Sequence, residues 1–186
     1  MKQLVKVICL LVGTLAGIAY AGGLSETVNV KLAWTYKEIP PAMRIYEISN
    51  RQTLPLWTTE TVTNKNQAPI TTEIPDSTLI LKKGEKKRFA LVYTNTSSNP
   101  VYFFAAPHSV EPAENALGFK FKCLCINHAY KISPGETWYR IVEFRIAKEF
   151  LGDHITLTHA LIGMDASRAE RFNKSMANDT HDHDHM

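Results

Sequence analysis

Cys123-Leu124-Cys125 is the part of this chain whose residue types and spacing can do chemistry. It follows Phe119-Lys120-Phe121-Lys122 and precedes Ile126, and the alternation of apolar and polar residues with period two predicts a β-strand. Successive strand side chains point to opposite faces, so the two sulfurs share one face. Thiols at i and i+2 on a strand close a disulfide only with strain, because the extended backbone holds their Cβ atoms too far apart. They clamp one soft metal ion readily, since thiolates select Cu(I), Zn or iron–sulfur clusters over hard cations. The competing reading is a pair of buried structural cysteines, because a free thiol packs as a small hydrophobe. A thiol-redox role is the weaker alternative, as the usual Cys-x-x-Cys at a helix N-terminus is absent.

Other side chains of the same chemistry surround this pair in sequence. His128, three residues past Cys125, is a further candidate ligand if a turn brings its imidazole back toward the thiols. At the C-terminus, His181, His183 and His185 alternate with Asp182 and Asp184, a strip able to take up Cu(II), Zn or Ni weakly. A soft thiolate pair and an imidazole tail suit the two oxidation states of copper. Met164 is a thioether but is read as a packing residue, and Glu136 and Glu143 as solvated carboxylates. His108, His154 and His159 are isolated in sequence and are expected to be ordinary core or surface histidines. No Gly-x-Ser-x-Gly, His-Glu-x-x-His or Gly-rich phosphate loop is present, so nothing in the sequence supports an enzyme.

The elements that must position these residues read as β-structure. With 186 residues, 45% of them hydrophobic, the chain can bury one core, and a net charge of +3 is too mild to indicate nucleic acid. Residues 1–23 carry Lys2 and Lys6 before an apolar run, then Ala19-Tyr20-Ala21, which predicts a signal peptide or an N-terminal membrane anchor and hence an exported domain. Cys9 falls within that segment, which leaves two cysteines for the domain and excludes a disulfide-stapled scaffold. Alternating runs near residues 28–32, 44–48, 56–62, 78–81, 87–94, 101–106, 119–126, 138–146 and 155–162 predict short strands separated by turns, and so an antiparallel β-sandwich. Prolines at 40, 41, 55, 69 and 75 make residues 37–78 irregular. Lys82-Lys83 and Lys86-Lys87-Arg88 flank Gly84 and read as a solvated loop. The domain is expected to span residues 24–165. Residues 166–186 follow as a flexible His/Asp-rich tail, with a short exposed helix over Ala166–Ala177.

The ordered set Lys83-Gly84-Glu85, Phe89 to Tyr93, Asn95, Pro100-Val101, Val110-Glu111-Pro112, Cys123-Leu124-Cys125-Ile126 and Pro134-Gly135-Glu136 resembles the CtaG-type cytochrome c oxidase copper-assembly proteins. The likeness covers roughly residues 78–165, in the same order and at nearly the same spacing. It departs at Leu124 and Ile126, where that family has phenylalanines, at His128, where it has an acidic residue, and at Lys83, where it has proline. The Cys-to-turn spacing is also one residue longer. The resemblance implies an immunoglobulin-like β-sandwich exposed to the periplasm, free or held at the inner membrane. It implies Cu(I) bound by Cys123 and Cys125, a copper-bridged homodimer, and delivery of copper to an acceptor cuproprotein such as an oxidase subunit. Lys120 matches a lysine three residues before the first family cysteine and is the candidate partner contact.

The function expected on these grounds is that of a Cu(I) metallochaperone. The alternatives are a periplasmic copper-sequestering or resistance protein with no dedicated acceptor, and a plain interaction module with incidental thiols.

Overall fold

The structure, a computed structural model, describes residues 25–49, 54–122 and 128–179. The export segment, Cys123 and Cys125, and the tail histidines His181, His183 and His185 lie outside the described residues. In chain order the strands are β1 (Thr27–Lys37), β2 (Met43–Ile48), β3 (Thr59–Val62), β4 (Ile70–Glu73), β5 (Thr78–Lys82) and β6 (Lys86–Thr94). They continue as β7 (Val101–Ala105), β8 (Ser109–Glu111), β9 (Phe119–Lys122), β10 (Tyr130–Ile132), β11 (Thr137–Ile146) and β12 (His154–Met164), and the helix α1 (Ala166–Asp179) follows.

The strands make two six-stranded sheets. One runs β10-β7-β12-β1-β5 with β8 also on β12, and the other runs β3-β11-β6-β2-β4 with β9 also on β11. Every pairing is antiparallel except β1 with β12, which run parallel. The sheets pack face to face because one row of each strand is apolar. Val28, Val30 and Leu32 of β1 and Ile155, Leu157 and Leu161 of β12 meet Phe89 and Leu91 of β6 and Val142 and Phe144 of β11. The fold is therefore the all-β, immunoglobulin-like sandwich that the strand pattern and the resemblance predict.

The irregular stretch after β2 covers a second, smaller core. Tyr46, Ala90, Val92, Tyr139 and Ile141 point out of the second sheet and are covered by Ala68 and by partly buried Leu54, Val62 and Ile70. Period-two reading of Trp138–Ile146 predicts one solvent-facing row. Instead both faces of β11 are covered, and Arg145 is the exposed residue of that strand. The run Lys86-Lys87-Arg88 opens β6 rather than lying in a loop. Arg88 Nε donates to Glu143 Oε2 at 2.9 Å, so Glu143 is a buried strand residue and not a solvated carboxylate. That hydrogen bond, joined by the charges of Lys86, Arg88 and Lys122, holds the Glu143 carboxyl below the usual carboxylate range against the opposing effect of burial.

The two Gly-Glu turns share one device. Lys82 N donates to the Glu85 carboxylate at 3.0 Å and Ser133 N to the Glu136 carboxylate at 2.8 Å, each closing a turn that the backbone also closes. Gly84 and Gly135 take φ of 87° and 77°, a left-handed conformation that favours glycine. Glu136 is thus a turn clamp rather than a free carboxylate. Asn95, which follows β6, is buried. Its amide donates to Asn99 O and Ile132 O, and its Oδ1 accepts from Ser97 N and Oγ.

Two substitutions test this frame. A Cβ added at Gly163 would lie 2.1 Å from the Glu38 carbonyl oxygen. Gly163→Ala is expected to lower stability by about 1–3 kcal/mol, as overpacking does, read from the urea midpoint; an unchanged midpoint would mean that the Glu38 turn yields freely. Because the folded-state pKa of Glu143 is depressed, its contribution is present above the unfolded value of about 4.3 and fades as pH falls through the folded value. The stability gap between wild type and Glu143→Gln should therefore be full at neutral pH and close in acid. A gap that widens in acid would reverse the sign of this coupling.

Candidate metal site

The site grows from two interrupted sheet edges. On one side of β12, β7 pairs with Leu161–Met164 and β8 with Thr156–Thr158. Between these ladders residues 106–108 pass residues 159–160, three against two, with Ala106 N donating to Ala160 O at 2.9 Å. A bulge of this kind re-aims side chains. Here it sets His108 beside His159, with ring centroids 5.0 Å apart.

In the other sheet, β11 pairs with β3 through Thr137–Arg140 and with β9 through Glu143–Ile146. Ile141 is bonded to Trp57 and Thr58 between them. β9 lays Phe119 and Phe121 inward onto Phe144, at centroid distances of 5.2 and 5.4 Å. Phe121 also meets the His159 ring edge-on at 5.7 Å and the His108 ring at 6.0 Å.

His159 occupies an inward position of β12, in the row of Ile155, Leu157 and Leu161, and is 0% exposed. Its walls are Trp34 (the residue paired with it across the parallel ladder), Phe121 and His108. Neither ring nitrogen has a hydrogen-bond partner among the described residues, and the Trp34 Nε1 is buried without one as well. A buried polar atom left unmade costs about 1–3 kcal/mol, so this spot in the core is expensive unless something fills the valences. His108 is half-buried and forms the outer lip of the cluster.

The residues singled out by sequence fall around this cluster unequally. Cys123 and Cys125 lie outside the described residues. The last described residue before them, Lys122, ends β9 in one sheet, and Tyr130 opens β10 in the other. His128 is exposed, with its ring edge-on to Tyr130 at 5.2 Å. Lys120 is exposed on β9 and, with Gly118, Arg145, Lys148 and Glu149, lines a cleft of about 430 Å³. His154 is exposed and paired with Asp153 at 2.6 Å, away from the cluster on the first residue of β12.

Two features escaped the sequence reading. Arg140 is buried and joins the sheets, its Nη1 donating to Thr59 Oγ1 at 2.7 Å and to the Tyr130 hydroxyl at 3.0 Å. Burial raises the pKa of that hydroxyl, with the Arg140 charge working against the rise. The helix α1 is held to the sandwich: Phe172 packs on Phe104 at 5.0 Å, and the Asn173 amide clamps both backbone groups of Ala129. His159 itself was visible as an imidazole on the inward parity of Ile155-Thr156-Leu157-Thr158-His159-Ala160-Leu161. Its partner His108 arrives through a bulge, for which the sequence carries no such signal.

Among the described residues there is no group of three or more His, Cys, Asp or Glu side chains placed to hold a metal ion, so the imidazole pair is what they offer. No described helix is long and apolar enough to cross a membrane. A comparison with curated proteins finds no match. Residues 28–164, from the second residue of β1 to the last of β12, match the family described as a domain of unknown function (DUF8709), and the chain belongs to that family.

Proposed function

We propose that this chain is an exported Cu(I)-binding protein that holds the ion at Cys123 and Cys125 and passes it to another protein by ligand exchange. The observation that carries this reading is the thiol pair itself, which follows β9 directly and is separated by Lys122 alone from Phe121, the ring packed against the imidazole cluster. Two thiolates satisfy Cu(I) and leave room for an acceptor ligand to bind before they release, so free metal is never shed. A dithiolate–Cu(I) unit carries a net negative charge. Lys120 and Lys122, both exposed on β9, come just before it in sequence and suit an acidic acceptor surface. The resemblance to CtaG-type proteins supports an oxidase subunit as that acceptor and a copper-bridged homodimer as the resting state. It also supports the periplasm as the compartment; His128 is an accessory candidate by its place three residues past Cys125 alone. Binding should weaken in acid, because the ligands must be deprotonated.

Anaerobic titration of the full chain against a Cu(I) chelator tests this. Wild type is expected to bind Cu(I) with sulfur ligation, and the Cys123→Ser/Cys125→Ser double variant to lose that sulfur-bound equivalent. Equal binding and equal ligation in the two proteins would remove the thiolate site.

A second reading, copper sequestration without a dedicated acceptor, draws on the tail. Asn173, which clamps Ala129, stands eight residues before His181 in sequence, and Ala129 stands four residues after Cys125. Removing residues 180–186 is expected to abolish weak Cu(II) uptake, followed by its visible absorption, and to leave Cu(I) binding intact. Loss of both would show that tail and thiols act as one site. Transfer of bound copper to an oxidase copper domain then separates delivery from storage.

A further inference from the structure

We propose that His159 and His108 form a buried bis-imidazole site for one borderline-soft transition ion, with Cu(I) as the ion expected. This site goes beyond the thiolate reading and does not depend on it. Three observations carry it.

The first is the vacancy in the hydrogen-bond account of His159. A polar ring on the inward row of a central strand, 0% exposed and with both nitrogens unpartnered among the described residues, has lost its water and gained nothing in return. Orphaned buried groups of this kind are rare enough in folded proteins that each calls for an occupant or a function.

The second is the distance to the neighbouring imidazole. Metal–nitrogen bonds of about 2.0–2.1 Å place two ring centroids on one tetrahedral ion roughly 5 Å apart. The observed separation is 5.0 Å, with the ring planes inclined by 43°. A linear two-coordinate ion would hold the rings farther apart. The separation matches a bent arrangement, which leaves further coordination positions open to other donors.

The third is the way the pair is built. His108 is carried by an interruption in the β12 edge, three residues passing two, so its ring is brought to His159 by an irregular backbone feature rather than by strand periodicity. Trp34, Phe119 and Phe121 wall the pair with apolar rings. Imidazole nitrogens suit Cu, Zn and Ni, whereas Ca and Mg take oxygen ligands. His108, half-buried, provides the way in.

X-ray absorption on the Cu(I)-loaded full chain tests this, in a background where His128, His181, His183 and His185 are replaced by alanine so that neither the thiolate site's accessory candidate nor the tail adds nitrogen. The expected spectrum has nitrogen neighbours at about 2.0 Å. In His159→Leu, a change of nearly equal volume, those neighbours are expected to disappear and one bound equivalent to be lost or weakened about tenfold or more. The metal-free melting temperature of His159→Leu should equal or exceed that of wild type, because the change removes an orphaned polar group. Unchanged nitrogen ligation in His159→Leu, or no nitrogen neighbours in the parent, would overturn the proposal. So would a metal-free chain markedly destabilised by the leucine, because His159 would then be a packing residue. Should that variant fail to fold, His108→Gln, at the half-buried position, is read in its place and must lose one nitrogen neighbour; retention of both overturns the site. The Cys123→Ser/Cys125→Ser variant is run alongside. Nitrogen ligation that survives there supports the imidazole site, while sulfur neighbours that persist would end the thiolate reading and leave this one standing.

Discussion

Each sheet of this sandwich is organised round a central strand whose outer edge no single partner covers, and that constraint decides where the core's imidazoles sit. On β11, β3 and its extension through Trp57 and Thr58 occupy the edge as far as Ile141, and β9 pairs from Glu143 onward. The next described strand after β9, β10, belongs to the opposite sheet. On β12, β7 and β8 divide the edge in the same manner, and the residues between them must bulge. The rings of Phe121, His108 and His159 bridge the two interruptions across the core. Continuous partners on either edge would have sealed this region with ordinary ladder hydrogen bonds.

What fills the region is aromatic. Phe119 stacks on Phe144, Phe121 packs between Phe89 and Phe144, and Trp34 tilts against His159. Aromatic pairs add about 0.5–1.5 kcal/mol each beyond their buried area, so this wall is rigid. One unpartnered imidazole costs about 1–3 kcal/mol. The wall can carry that cost, which explains how an inward histidine persists on a central strand without unfolding it. Rigidity also serves ligation, since side chains fixed by packing lose little freedom when a ligand arrives. Arg140 adds a second polar link through the interior, joined to Thr59 and to Tyr130 of the facing sheet, a short step in sequence from His128.

Much of the sandwich was legible because period-two alternation is a direct consequence of strand geometry. Val28-Asn29-Val30-Lys31-Leu32 and Ile155-Thr156-Leu157 read correctly for that reason. The reading failed where tertiary cover changed the rule. β11 seemed to have a solvent face because its outward residues include Tyr139 and Glu143, whose polar ends find Glu60 and Arg88 while their stems are buried. Lys86-Lys87-Arg88 looked like a loop because charge density was taken for solvation. In fact Lys87 and Arg88 each meet a carboxylate, on Glu47 and Glu143. Residues 37–78 were opaque because prolines break periodicity, although the segment's scattered Leu54, Val62 and Ile70 are what cover the outer face. The imidazole pair was half legible. Parity marks His159 as inward, but a bulge has no signature in a single sequence, so His108 could not be joined to it.

The motifs that carry the family resemblance divide into two kinds once their contacts are known. Lys83-Gly84-Glu85 and Pro134-Gly135-Glu136 are turns closed by a glutamate that accepts the backbone N–H three residues before it. Asn95 stitches its own loop to the end of β10 and, through its backbone, to the second of those turns. Any sandwich of this topology that makes these turns tightly would need glycine at the left-handed position and a short acceptor near it, whatever it binds. These residues therefore speak for the fold, and their agreement in order and spacing is what a shared fold would produce. Cys123 and Cys125 are the motif residues whose types can do chemistry, while His108 and His159 stand outside the motifs. For His159, buried with no described hydrogen-bond partner, leucine would serve the core better. The proposed metal chemistry would draw on these four side chains and not on the turns around them.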